Sequence, residues 1–540
     1  MKSNQNYSFL KGLLITYLCL TVALPILRLF GGIRSEHIHA IVTAPQFFPM
    51  LKNSLVTTIV ATVISVTLAF FLAFALCRSN IRFKSLWVVL FTIPMLIPSI
   101  SHGMGLVFLF GDNGIITNLL GINIGLYGYT GIILGSILYS FPVAFLLFYD
   151  SFQYEDFTIY ESAQVLGLSH YRQFFAITLP SMRQAIISAI LSVFTMVFTD
   201  YGVPLMTGGT KMTLPVFMYR EVIGMMNFSG GAVVGVILLA PAVIAFILDL
   251  RKSNTVSGGS TITKKYVIEE NELRDTLVYI AFSVALFLLC LPIAAFACLS
   301  FVKQYPIDMH FTLEHLKKLL SGGIGMYLLN SLAVALMTAL VGTCLTYFSA
   351  YVTARSEKAP STQFLHFISM LPLAIPGVVL GLSYVLSFNR LPWYSTIFIL
   401  IMVNIIHFFS SPYLLAYNSL IKFNPNLEDV ADTLGIGKLR MLTAVYLPST
   451  VPTVIEMYSY FFVNAMITIS AVSFLVNFRT TTLALMIPQL ESQSFIEGTA
   501  MVSLMILLLN VAEKAVAFFA RRSQLKHDQQ LQAAQEVTDR

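Results

Sequence analysis

Charge is what this chain has least of. Only 11% of its 540 residues are Asp, Glu, Lys or Arg, where a soluble domain carries about 25%. With 57% hydrophobic residues, that shortage excludes a protein that hides its apolar side chains inside water-surrounded cores; the bilayer must be its solvent. Cysteine is scarce too. Five residues (Cys19, Cys77, Cys290, Cys298, Cys344) lie in or beside apolar runs, and none forms a CxxC pair. Neither a disulfide framework nor a metal site is indicated, which leaves packing. The phosphate-cradling pattern G-x-x-x-x-G-K-[ST] is missing: Gly437-Lys438 lacks both the preceding spacing and the following hydroxyl. The chain therefore does not energise itself with ATP by that route. No HExxH motif, serine-hydrolase elbow or TVGYG pore sequence occurs, and no catalytic constellation is found. A net charge of +6 is too modest and scattered for a nucleic-acid face and suits basic loops beside a membrane.

What the chain has in abundance is apolar sequence in span-length runs. A spanning helix needs about 20 such residues. Twelve runs qualify, near 11–31, 52–77, 86–110, 127–149, 184–206, 230–250, 276–301, 328–352, 364–388, 395–420, 450–475 and 498–520. The first follows Lys2 and Lys11 and lacks an A-x-A cleavage site, so it reads as a retained helix. The expected class is an all-α polytopic membrane protein of about twelve helices. With the N-terminus inside, Lys and Arg favour the inner segments by roughly two to one. Both chain ends are then expected on the cytoplasmic side.

The chain also reads as a tandem duplication. NSLVTTIVATVISVTLAFFLAFALCRS begins at Asn53 and NSLAVALMTALVGTCLTYFSAYVTARS at Asn330, so that Arg78 matches Arg355. IPMLIPS (93–99) and LPLAIPG (371–377) share prolines four apart, Pro94/Pro98 and Pro372/Pro376. The expected layout is a first module at 1–250, a linker at 251–275, a second module at 276–522 and a cytoplasmic tail at 523–540. Six helices per module make the repeats parallel, with a shared pathway between them. The linker, RKSNTVSGGSTITKKYVIEENELRD, reads as a plain tether. Asn53 and Asn330 are expected to cap the helices they open.

The third repeated element is polar. Residues 161–180 read ESAQVLGLSHYRQFFAITLP and residues 429–448 read DVADTLGIGKLRMLTAVYLP. Each has an acid, a small residue two further on, a glycine four beyond that and a distant Leu-Pro pair. In the first loop (154–180), Asp156 and Thr158 can cap a helix, and Gly167 can end it in the left-handed conformation. Ser169 can cap a second short helix through Tyr171–Ile177, and Pro180 opens the next membrane helix. The second loop (422–448) repeats the scheme with Asn424 or Asn426 as cap, Gly435 as break and Pro448 as entry. One such loop would pass for an interfacial linker. Two, matched in spacing and position, predict equivalent docking points for something outside the membrane.

This pattern resembles the coupling-loop signature of membrane subunits of binding-protein-dependent ABC importers, E-A-A-x-x-x-G, nine residues, then I-x-L-P. Glu161, Ala163, Gly167, Ile177, Leu179 and Pro180 match in the first loop, with Ser162 at the middle alanine. Asp429, Ala431, Gly435, Leu447 and Pro448 match in the second, with Val430 and Val445 as further replacements. The fused two-module form resembles the single-chain permeases of ferric iron, thiamine and aminoethylphosphonate importers, and MVFTDYGVPLMTGG (196–209) is similar to a segment of that subgroup. The resemblance implies a type I importer permease fold in a bacterial inner membrane. It implies that the chain is not an enzyme and binds no cofactor, ATP-Mg belonging to two copies of a separate ATPase. It also implies an extracytoplasmic solute-binding protein, with ferric iron, thiamine, an aminoethylphosphonate-like anion or a polyamine as solute.

Polar groups within spans are the expected pathway residues: Asp200, Tyr201, Asn404 and Asn464. Glu456 is expected in an interfacial salt bridge, His407 as a packed, hydrogen-bonded side chain, and Glu491 and Glu497 in an outer loop or receptor face. The competing class is an ion-coupled secondary transporter with two parallel six-helix halves, which would not require the duplicated glycine elbows.

Overall fold

In a bilayer every backbone N–H and C=O needs an internal partner, so apolar runs become helices. A computed structural model describes residues 2–253, 264, 266–357 and 359–538. The Ser/Gly/Thr-rich start of the linker (254–263), with Lys265 and Lys358, lies outside the described residues. The rest is almost wholly helical, with one two-stranded hairpin, Val302–Gln304 paired antiparallel to Asp308–Phe311.

All twelve apolar runs contain helix. Among the described residues eight helices are long and apolar enough to cross a membrane, or up to eleven if three bent pairs each count as one span. The eleventh run forms a short helix, Val451–Ile467, 17 residues long, because the chain turns extended at Thr468. The fifth run likewise stops at Phe198, and 202–224 continues as short helical pieces.

The halves repeat each other in detail. Each has a long helix (Phe47–Arg78; Ile324–Ala354) followed by a broken span. At each break a 3-10 turn, Ile93–Leu96 or Leu371–Ala374, leads to an extended proline, Pro98 or Pro376, which caps a fresh helix. Proline removes an N–H and clashes with the preceding turn, so the double-proline motif both breaks and restarts the span; in the second half the two pieces meet at 110°. The freed carbonyls find side chains. The Asn510 amide donates to Leu96 O at 2.8 Å, His102 Nε2 lies 2.9 Å from Pro94 O, and the Ser410 hydroxyl donates to Ser369 O at 3.0 Å.

The first helix of each half crosses to the other. Phe9–Gly31 packs on the broken span 360–388, where the Tyr384 hydroxyl donates to Thr21 O (2.8 Å), and Lys11 donates to Thr362 (2.8 Å). Glu272–Leu299 packs on Ser99–Phe110 so closely that a Cβ on Gly105 would lie 2.7 Å from Pro292 O. The larger apolar core accordingly draws from both halves.

Asn53 and Asn330 do not cap helix starts. Each sits inside its long helix and ties down a later loop: Asn53 donates to Met212 O (3.0 Å), and Asn330 to Arg479 O (2.8 Å) and Thr481 O (3.0 Å). The neighbouring serines do the same, Ser54 accepting from Leu214 N–H and Ser331 from Leu483 N–H. A shared packing duty between duplicated elements explains the repeated Asn-Ser pair.

Candidate functional site: two matched glycine elbows

The first elbow starts with Phe157–Val165, whose N-cap Asp156 accepts from the Thr158 N–H (3.1 Å) and hydroxyl (2.9 Å). These bonds hold the Asp156 carboxyl below its ordinary value, so it stays a charged cap at neutral pH. The helix ends at Gly167, φ +72°. The Leu168 N–H donates to Ala163 O (3.0 Å) and the Gly167 N–H to Gln164 O (2.9 Å), which is the Schellman arrangement. The second elbow copies it: Leu427–Thr433, Gly435 at φ +68°, Ile436 N–H to Ala431 O (2.8 Å) and Gly435 N–H to Asp432 O (3.2 Å).

Small residues stand at 163 and 431 because the helix turns its back there; both alanines are buried (3% and 4% exposed). Beyond each glycine comes one helical turn (His170–Gln173; Lys438–Met441), then a five-residue π-turn (Phe174–Thr178; Leu442–Tyr446), then the Leu-Pro start of a membrane helix. The expected continuous helix through Tyr171–Ile177 is thus α for one turn and π for the next. Ser169 and Asn426 hold the N-cap positions, but neither side chain makes the capping bond. Asn424 instead accepts from the Asn426 N–H at 2.9 Å.

The elbows face outward with apolar side chains: Val165, Leu166 and Tyr171 on one, Val430, Leu434 and Leu439 on the other, all more than half exposed. The acids Glu161 and Asp429 stand beside them, and Leu179-Pro180 and Leu447-Pro448 are exposed at the far ends. Paired exposed apolar patches on a chain whose other apolar surface suits lipid mark protein contact sites.

Each elbow is pinned to the end of the preceding long helix by an arginine. Arg78 ion-pairs with Glu155 at 2.5 Å, both side chains under 10% exposed. The Tyr160 hydroxyl donates to the same carboxylate (2.6 Å) and shares a hydrogen bond with Thr178 (2.8 Å). Arg355 grips Glu428 with two nitrogens, Nε at 2.6 Å and Nη2, and also donates to Phe423 O (3.1 Å) and Asn424 O (2.9 Å); the Tyr446 hydroxyl completes the group on Glu428. Each guanidinium lies over its tyrosine ring, 4.6 Å at Tyr160 and 5.2 Å at Tyr446. Burial, with the neighbouring carboxylate, pushes both phenols above the ordinary tyrosine value, so they remain protonated donors. Sequence reasoning matched Arg78 with Arg355 but gave them only a topological role; their carboxylate partners went unnoticed.

The four expected pathway residues each make separate hydrogen bonds. Asp200 precedes the N-cap of the short helix Gly202–Thr207 and accepts from Ser99 (2.6 Å), Gly202 N–H (3.3 Å) and Val203 N–H (3.0 Å). Tyr201 reaches across the halves to Ser473 (2.7 Å) and stacks on Tyr219. Asn404 is 1% exposed and donates to Leu400 O, and Asn464 donates to Tyr460 O. No hydrogen bond joins either asparagine to Asp200 or Tyr201 among the described residues. Glu456 approaches Arg521 at 3.9 Å. His407 is packed, but its Nδ1 has no hydrogen-bond partner among the described residues. Glu497 is buried and accepts the Tyr305 N–H (2.7 Å) at the hairpin, so it is not free at a surface. Among the described residues no group of three or more His, Cys, Asp or Glu side chains could hold a metal ion.

The fold and the paired elbows define a class. Residues 45–251 and 342–522 match the model for the inner membrane component of binding-protein-dependent transport systems, and the chain belongs to that family. It is a multi-pass membrane protein of the transport-permease kind. A putative ferric transport system permease protein, FbpB 1, of Haemophilus influenzae is 27% identical over 72% of this chain and 64% of its own length. A ferric transport system permease protein FbpB of Actinobacillus pleuropneumoniae is 26% identical over 72% of this chain and 59% of its own. The thiamine transport system permease protein ThiP of Escherichia coli is 22% identical over 55% of each chain. The aligned part therefore spans about three-fifths of the length of the ferric relatives.

Proposed function

We propose that this chain forms the solute pathway of a binding-protein-dependent ABC importer and takes its energy from two copies of a separate ATPase docked on the two elbows. In this reading Glu161, Ala163, Gly167, Leu179 and Pro180, with Asp429, Ala431, Gly435, Leu447 and Pro448, form the coupling loops. The modules are 1–250 and 276–522, and the elbows and both termini face the cytoplasm of a bacterial cell. ATP and Mg are bound by the partner ATPase, not by this chain. An extracytoplasmic binding protein delivers the solute.

The observation that carries the reading is the duplicated elbow itself: the same Schellman turn, π-turn and exposed apolar face, each bolted by an arginine to a membrane helix. A knob tied to a helix end by an ion pair would transmit displacement to that helix. Closure of the two ATPases would bring the knobs together and switch the halves between outward-open and inward-open packings as rigid bodies. Ferric iron stands first among the solutes, with thiamine, an aminoethylphosphonate-like anion and a polyamine behind it; two relatives named for ferric transport support that order. Asp200, Tyr201, Asn404 and Asn464 are proposed as pathway residues only.

The test is ATP hydrolysis by the reconstituted complex with loaded binding protein. Wild type is expected to be stimulated, and Gly167→Pro and Gly435→Pro to insert normally without stimulation. Normal stimulation of both variants, or uphill transport by this chain with no ATPase present, would overturn the reading in favour of an ion-coupled carrier.

A further inference from the structure

The two elbows differ in one respect that the duplication does not explain. The linker returns over the first of them. The Lys264 N–H donates to Asp156 Oδ1 (3.3 Å), its carbonyl accepts the Phe157 N–H (3.0 Å), and its ammonium pairs with Glu161, the acid of the loop motif. The Tyr266 ring stands face-on to Arg78, with Cζ 3.1 Å from the ring centre, and edge-on to Phe157 (4.8 Å) and Tyr160 (5.2 Å). Downstream, Glu269 O and Asp275 accept from Asn80, and the Tyr279 hydroxyl accepts the Arg82 N–H, so the linker follows the 78–82 turn into the next membrane helix.

Arg78 therefore sits in the corner of two phenol rings set edge to face at 82°, and its Nη1 is buried with no hydrogen-bond partner among the described residues. Arg355 has one ring and uses Nε, Nη1 and Nη2 in hydrogen bonds, two of them donating to loop carbonyls. The second elbow is held by the long helix, through Arg355 on its loop carbonyls and the Tyr351 hydroxyl on Lys438 O (3.0 Å), whereas the first is held in addition by the linker. Asp429, the counterpart of Glu161, has no ion-pair partner among the described residues.

We propose that Lys264 and Tyr266 are positioning residues of the first elbow: they clamp it in the conformation that meets the ATPase, so that two identical ATPase subunits find two unequal docking sites. This rests on the docking function proposed above. Tyr266 carries most of the clamp, since a cation–π contact shielded from water is stronger than an exposed ion pair such as Lys264–Glu161, which is about half exposed on both sides.

The test has two arms on the full chain in nanodiscs. In the first, amide hydrogen exchange is followed without ATPase. Tyr266→Ala is expected to speed exchange across 157–168 by roughly tenfold and to leave 427–436 unchanged. Tyr266→Phe, which keeps the ring, is expected to match wild type, and Lys264→Ala to give under about threefold. Unchanged exchange at 157–168 in Tyr266→Ala, or equal acceleration at both elbows, overturns the clamp. In the second arm the partner ATPase is titrated onto the complex. Tyr266→Ala is expected to raise the half-saturating ATPase concentration severalfold with the maximal stimulated rate retained. No shift, while Gly167→Pro still abolishes stimulation, overturns the positioning role and leaves docking intact. Normal stimulation in both glycine variants overturns docking itself, whatever the exchange arm shows.

Discussion

The two arginine anchors make the same network from different positions. By loop alignment Glu155 corresponds to Phe423, Tyr160 to Glu428 and Thr178 to Tyr446. The first half places its carboxylate at the loop entrance and its phenol one turn into the helix. The second places the carboxylate where the first has the phenol, and the phenol at the end of the π-turn. Phe423 contributes its carbonyl and an edge-on ring contact with Tyr446 (5.3 Å). After duplication, what was kept is the spatial triad of guanidinium, carboxylate and phenol, not the residue at any one site. A buried cation needs a paired, hydrogen-bonded anion wherever the chain can supply one.

The largest effect that would break this comparison comes from the turns. Proline at 167 or 435 demands φ near −65° and removes an N–H that the turn uses, against native values of +72° and +68°. Both variants are expected to lose stimulated ATP hydrolysis entirely. Next come the anchors. Arg355→Ala leaves Glu428 without its cation and two loop carbonyls without a donor, and Arg78→Ala leaves the Glu155 charge buried with only hydroxyl donors. Each is expected to cost about 3–5 kcal/mol, read as a fall in the melting temperature of the purified chain. Removing both partners, as in Arg78→Met with Glu155→Leu, is expected to restore most of that loss, because no lone charge stays buried.

A sharper version exchanges the arrangements. Tyr160→Glu alone puts a second carboxylate beside Glu155 and should destabilise. Glu155→Phe, Tyr160→Glu and Thr178→Tyr together write the second loop's network into the first and should melt near wild type. If the triple variant is no better than the single one, the two networks are not interchangeable. The smallest expected effect is at the caps. Asp156→Ala should loosen exchange at the start of 157–165, whereas Asn426→Ala should change nothing at 427–433, since only Asp156 makes the capping bond.

Much of this was legible in the sequence. Periodic apolar runs, paired prolines and the Gly-to-Leu-Pro spacing are local signals, and local geometry followed them: the positive φ at both glycines, the breaks at Pro98 and Pro376, the entry at Leu179 and Leu447. What was not legible depends on distant partners. Arg78 and Arg355 matched in alignment while Glu155 and Glu428 did not, so no column of the repeat pointed to the pair. Asn53 and Asn330 sat where a capping residue belongs, yet their helices begin six residues earlier, at Phe47 and Ile324. The linker read as a tether because Tyr266 is unremarkable until Arg78 is beneath it. The boundary of the 450–475 run was not legible because composition does not reveal that a helix unwinds at Thr468.

The five-residue wide turns at 174–178 and 442–446 carry a final consequence. A turn that holds one residue more than the α-helix resets the angular phase of all that follows, by about 100° per residue. Deleting one residue there would let an ordinary helix form while swinging the lipid-facing and interior-facing stripes of the next membrane helix a quarter turn or more out of place. Each wide turn thus serves as a phase-setter between the elbow and the membrane helix that follows it, fixing which side of that helix looks inward.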